Sequence, residues 1–154
     1  MAEQKSQKGA DDIIMKRKIY QQLLDWKEKR NGEVALLVEG ARRIGKSYIV
    51  EEFAKNEYES YILIDFNKAP QMVRDWFDLY LEDLDTLFLY LSQHYKVRLH
   101  ERKSLIILDE IQLCPRARAA IKFLVEEGSY RYILSGSLLG VDLKDIRSVP
   151  VGYM

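Results

Sequence analysis

Residues 40–47, Gly-Ala-Arg-Arg-Ile-Gly-Lys-Ser, fit G-x-x-x-x-G-K-[ST], a phosphate-binding loop when a strand precedes it and a helix follows. The glycines let the backbone turn tightly enough for successive N–H groups to face phosphate oxygens. The positive end of the following helix adds to that field. Lys46 is then a point charge for the β- and γ-phosphates, and the Ser47 hydroxyl is a ligand for Mg²⁺. Expected nucleotide contacts are Gly40, Ala41, Arg42, Arg43, Ile44, Gly45, Lys46, Ser47 and Tyr48. The directions of Arg42 and Arg43 are left open, since loop arginines are more often solvated or ion-paired.

The second group is Asp109-Glu110, which ends the apolar run 105–108. A carboxylate at the C-terminal end of a strand near the loop can hold Mg²⁺ directly or through water, because this ion takes oxygen ligands. Asp109 is that metal ligand, the Walker B position. Glu110 is suited to orient and deprotonate a water in line with the γ-phosphate. Ser135 and Ser137 follow a later apolar run and can reach the γ-phosphate or the water, although Ser-Gly-Ser is also ordinary turn chemistry. The expected catalytic set is Glu110, Lys46 and Ser135. Asn67 is either a loop residue or a group that holds Glu110 away from the water.

These residues need strands and helices to position them. Helical spacing of Ile19, Tyr20, Leu23, Leu24 and Trp26 predicts a helix over 13–30, stopped by Asn31-Gly32. The apolar run at 34–38 reads as a fully buried parallel strand, and 61–66, 105–108 and 130–134 read as three further strands. Between them lie a helix over 46–56, a long helical region opened by Pro70 and running past Leu91, either one bent helix or two, and a helix after Pro115 closed by Gly128-Ser129. Strands alternating with helices predict an α/β fold: a parallel, doubly wound sheet with helices on both faces. Residues 1–12 lack periodicity and are expected to be a flexible leader, with one domain over 13–154.

Composition sets the outer limits. The chain has 154 residues, 24 Lys+Arg against 24 Asp+Glu, and one cysteine. That size supports a single core without disulfides. Zero net charge argues against a strongly basic nucleic-acid surface, and the stretch Lys96, Arg98, Arg102, Lys103 reads as a solvated turn. His94 and His100 lack ligand-like neighbours and are expected at the surface. Without an apolar run of membrane length or a signal-peptide core, the cytoplasm is the default location and no membrane partner is expected.

Four stretches together resemble the AAA-type domain of a widespread group of prokaryotic P-loop ATPases. They are residues 40–47, Leu-Asp-Glu-Ile-Gln-Leu-Cys-Pro-Arg-Ala at 108–117, Ser-Gly-Ser-Leu-Leu-Gly at 135–140 and Val-Pro-Val-Gly-Tyr at 149–153. The resemblance implies Walker A at 40–47, Walker B at Asp109 and Glu110, and sensor 1 at Ser135 or Ser137. It implies ATP and Mg²⁺ as cofactors, ATP hydrolysis by the complete protein, and a longer protein with a C-terminal domain. The chain is expected to end as a fifth strand starts or has just formed. Neither Arg131 nor Arg147 is assignable as an arginine finger, so the chain alone is expected to hydrolyse weakly. Self-association is also expected, and a nucleic-acid link stays open without support from charge. The rival readings are a nucleotide-dependent switch or interaction module and a small P-loop kinase; the kinase is disfavoured because no arginine-bearing lid is recognisable.

Overall fold

The computed structural model describes the backbone of residues 2–40, 46–136 and 146–151, and side chains over 9–11, 13–38 and 48–136. The elements, in chain order, are α1 (Ala2–Arg30), β1 (Ala35–Gly40), α2 (Lys46–Glu57), β2 (Ser60–Asp65), α3 (Gln71–Leu79), α4 (Leu84–Tyr95), β3 (Ser104–Asp109), a 3₁₀ turn (Ile111–Leu113), α5 (Pro115–Glu127), β4 (Arg131–Ser135) and β5 (Ile146–Val151). All pairings are parallel and the strand order is β2-β3-β4-β1-β5. The α/β class with a parallel sheet is the one expected from the alternation of apolar runs and helical periods.

Both faces of the sheet are covered, which is why the central strands are apolar at nearly every position. On one face α1 and α2 bury Ile19, Leu23, Trp26, Ile49, Val50 and Phe53 against Leu36, Val38, Ile107 and Ile133. Trp26 Nε1 donates to Val34 O at 3.0 Å and Tyr20 Oη donates to Glu57 Oε2 at 2.9 Å, so these helices are also pinned by polar contacts. On the other face Val73, Phe77, Leu87, Leu91, Ala120 and Leu124 of α3, α4 and α5 pack on Leu37, Ile64, Ile106 and Leu134. Each fully buried large apolar side chain contributes about 1.5–3 kcal/mol.

Two readings left open by the sequence are settled by the structure, and one boundary moves. The region after Pro70 is two helices, because Asp83 accepts the N–H of Thr86 at 3.3 Å as an N-cap and starts α4 afresh. The helix predicted over 13–30 begins at Ala2 and takes in the stretch expected to be a leader. Residues 2–8 are mostly good helix formers, and the exposed positions Gly9, Ala10, Ile13 and Ile14 impose no amphipathic period. The fifth strand is formed and pairs with β1 at six positions, from Ala35↔Ile146 to Gly40↔Val151. Its Arg147, Ser148 and Pro150 break the apolar run that marks the inner strands, and Pro is tolerated on such an edge.

Candidate functional site

The strand registers bring the chemical residues to one end of the sheet. Asp65 of β2 is opposite Asp109 of β3, and Leu108 is opposite Leu134, which puts Asp109 level with Ser135 of β4. Ser135 is opposite Val38 of β1, two residues before Gly40. Ser135 therefore lies between the strand feeding the glycine loop and the strand ending in Asp109. The chain leaves β1 towards β2 on one side of the sheet order and leaves β4 towards β5 on the other. The crevice at their C-terminal ends is thus a topological switch point, where α/β sheets bind ligands.

At this edge Ser135 Oγ donates to Asp109 Oδ1, so the hydroxyl expected at the γ-phosphate is joined to the expected metal ligand. Ser135 is buried, and so is Glu110 at 6% exposure. Glu110 has φ +56° and ψ +48°, a left-handed conformation that disfavours a non-glycine residue by about 1–2 kcal/mol. The kink ends β3 and starts the 3₁₀ turn, with Leu113 N–H donating to Glu110 O and Cys114 N–H to Ile111 O, both at 3.0 Å. Gln112 Nε2, on that turn, donates to Glu110 Oε2 at 2.7 Å. Gln112 Oε1 is buried without a hydrogen-bond partner.

Two further residues hold this edge together. Arg74 of α3 donates from Nε to Ala69 O at 3.1 Å, from Nη1 to Leu113 O at 2.8 Å, and from Nη2 to Phe66 O. One guanidinium thereby ties the segment after β2 to the turn after Glu110. Gly136, φ +133°, is the second: a Cβ there would collide with Gln112 Oε1 and lie 3.2 Å from Ile111 N. Arg74, Gln112, Gly136 and the row position of Asp65 are not evident from residue spacing. For Gln112 the one available signal is its place two residues after Glu110.

The other expected site residues are distributed as follows. Ala41, Arg42, Arg43, Ile44, Gly45 and Ser137 lie outside the described residues. Gly40 closes β1, and Lys46 and Ser47 open α2. Tyr48, in the same first turn, is 63% exposed with Lys16 Nζ 5.8 Å from its ring centroid. Asn67 is exposed; its backbone N–H donates to Asp65 Oδ1 at 2.9 Å. The described contact on Glu110 comes from Gln112 instead, because the 3₁₀ turn points back across the strand end. Arg131 begins β4, four residues before Ser135 or about 13 Å along the strand, and is turned to Gly128 O at 3.1 Å. It belongs to the opposite edge of the sheet, where burial lowers its pKa.

Among the described residues no three His, Cys, Asp or Glu side chains converge as a metal cage. No described helix is long and apolar enough to cross a membrane.

None of the curated proteins matches the chain. Among solved structures, C. elegans PCH-2 is similar with a TM-score of 0.52 at 12% identity, over 88% of this chain and 42% of that one. The chain thus spans less than half of the PCH-2 chain, and the likeness concerns the fold. A family model described as an AAA domain matches residues 33–154, the stretch from β1 through β5 that carries the glycine loop, Asp109, Glu110 and Ser135, and the chain belongs to the AAA domain family.

Proposed function

We propose that this AAA domain binds Mg-ATP across the C-terminal ends of β1, β4 and β3, and that the complete protein hydrolyses it. The observation that carries the reading is the row Asp109–Ser135–Val38, which lines up a carboxylate, a hydroxyl and the strand running into Gly40. Backbone N–H groups of residues 40–47 and the N-terminus of α2 would cradle the phosphates. Lys46 would neutralise the β- and γ-phosphates, with Ser47 and Asp109 offering oxygens to Mg²⁺. When bound, that ion would neutralise charge developing on the phosphates.

Glu110 would serve as the base that orients the attacking water, and Ser135 would hold Asp109 in register with it. Arg131, at the N-terminal end of β4 and turned to Gly128 O, takes no part in this chemistry. The test is calorimetric titration with Mg-ATP. Lys46→Ala removes a charge-assisted contact of about 1.5–3 kcal/mol and should weaken binding roughly 10- to 100-fold. Equal affinity in mutant and wild type would remove Lys46 from the site.

A further inference from the structure

The hydrogen bond from Gln112 to Glu110, together with the space left by Gly136, has no part in binding nucleotide as described above. We propose that Gln112 is the positioning residue of the hydrolytic site: its side-chain amide fixes the Glu110 carboxylate in the orientation from which it addresses the water. The proposal rests on Glu110 being the base.

Three observations converge on Gln112. First, its Nε2 donates to Glu110 Oε2 at 2.7 Å, in the range of charge-assisted bonds, which are stronger than neutral ones. A carboxylate only accepts, so the amide must present its NH₂ group there, and Oε1 then faces the other way. Second, Oε1 is buried with no partner. An amide placed only for stability would be expected to satisfy both ends, because an orphaned buried acceptor is unfavourable. Third, Oε1 occupies the space where residue 136 would carry a Cβ. The glycine that follows Ser135 therefore admits Gln112 and makes the β4 end and the Glu110 turn a single fitted unit.

The mount is rigid. Gln112 sits inside the 3₁₀ turn closed by the Leu113→Glu110 and Cys114→Ile111 backbone bonds. Arg74 holds the same turn from outside through Leu113 O. With the backbone fixed on both sides, the amide has little freedom to swing. Glu110 accepts this bond with its own backbone in the left-handed region. Such fixed geometry matters most in the transition state, where small misplacement of a reacting group lowers the rate steeply.

The first experiment needs no nucleotide. In protein labelled with ¹⁵N-glutamine, the Gln112 side-chain amide, identified by its absence in Gln112→Leu, should resonate away from solvent-exposed glutamines and revert towards them in Glu110→Ala. A resonance that ignores Glu110→Ala overturns the contact. The second is single-turnover hydrolysis in the full chain. Gln112→Leu should slow the chemical step roughly 10- to 100-fold, with ATP affinity and melting temperature close to wild type. In the Glu110→Gln background the same substitution should change little.

Equal slowing in both backgrounds, or a wild-type rate in Gln112→Leu, overturns the proposal. Failure of the parent reading looks different, because Glu110→Gln itself would then hydrolyse as fast as wild type. A second variant guards against misfolding of the first. Gln112→Met keeps the length of the side chain without its amide and should slow hydrolysis to a similar extent; a wild-type rate there counts against the proposal.

Discussion

Two buried serines stand at opposite ends of the sheet and are used in opposite ways. Ser104, fully buried, opens β3. It accepts the His100 N–H at 2.8 Å and lies 2.6 Å from Ser60 Oγ, whose own proton goes to Arg98 O at 2.6 Å. With that proton committed, Ser104 must be the donor to Ser60, and the chain of neutral bonds closes on itself. Ser135, which ends β4, instead gives its proton to the Asp109 carboxylate, beside a kinked Glu110 and a glutamine with one polar atom left over. The N-terminal end of this serine pair is spent on holding strands and loops together. The C-terminal end retains charge and an unmatched acceptor, as a ligand site in a parallel sheet does.

The hardest way to break this contrast is to remove the base. Glu110→Gln should slow single-turnover hydrolysis by about 10²–10⁴ while nucleotide still binds. Unchanged turnover would show that the charge at the C-terminal edge does no chemistry.

Next in size is an exchange of the two serines for alanine. Ser104→Ala removes the acceptor of the half-buried His100 N–H and the donor to Ser60 Oγ, which keeps its bond to Arg98 O, and should lower unfolding free energy by about 0.5–1.5 kcal/mol, with Mg-ATP affinity unaffected. Ser135→Ala should do the reverse, weakening Mg-ATP binding roughly tenfold through a misplaced Asp109 and altering stability less. Chemical denaturation and calorimetry on both variants decide it. If the two lose stability alike and bind alike, the division of labour between the ends is wrong.

The smallest effect concerns tyrosines near the N-terminal half of the sheet. Burial, then the hydrogen bond to Glu51, pushes the Tyr61 phenol up to about 12, and burial also raises Tyr58 and Tyr132. Their folded pKa values lie above the unfolded value of about 10. The resulting stability is fully present below pH 10 and is lost as pH rises through the folded values. Urea midpoints should therefore fall between pH 10 and 12, and Tyr61→Phe should make that fall shallower. A slope identical to wild type would show that Tyr61 does not report on this half of the sheet.

Much of the scaffold was legible because burial on two faces leaves an unmistakable residue pattern. Residues 105–108 are apolar throughout and form most of β3, and Tyr132, Ile133 and Leu134 make the apolar stretch of β4. Pro115 and Gly128 bracket α5 as expected, Gly128 capping it at φ +83°. The signal failed where one face has no partner or the strand is at an edge. Exposed Ile13 and Ile14 say little about how far α1 extends, and Arg147 with Pro150 hides β5. Asn67 was weighed as a partner for Glu110 from its place after β2, but the bond comes from Gln112, within the same turn as Glu110.

By itself the sequence determined which residue types are available for phosphate, metal and proton chemistry, and the alternation of apolar runs that makes a parallel sheet. Those properties are local: a glycine loop, a strand-end carboxylate and a helical period are each written in a few neighbouring residues. Tertiary structure decided which of them meet. Strand order inserts β4 between β1 and β3, register sets Ser135 level with Asp109, and the left-handed turn at Glu110 brings Gln112 back onto its carboxylate. It also sends Arg131 to the opposite edge, four residues from Ser135 on the same strand. Pairing and chain reversal depend on how the whole sheet packs, so no short stretch of sequence carries them.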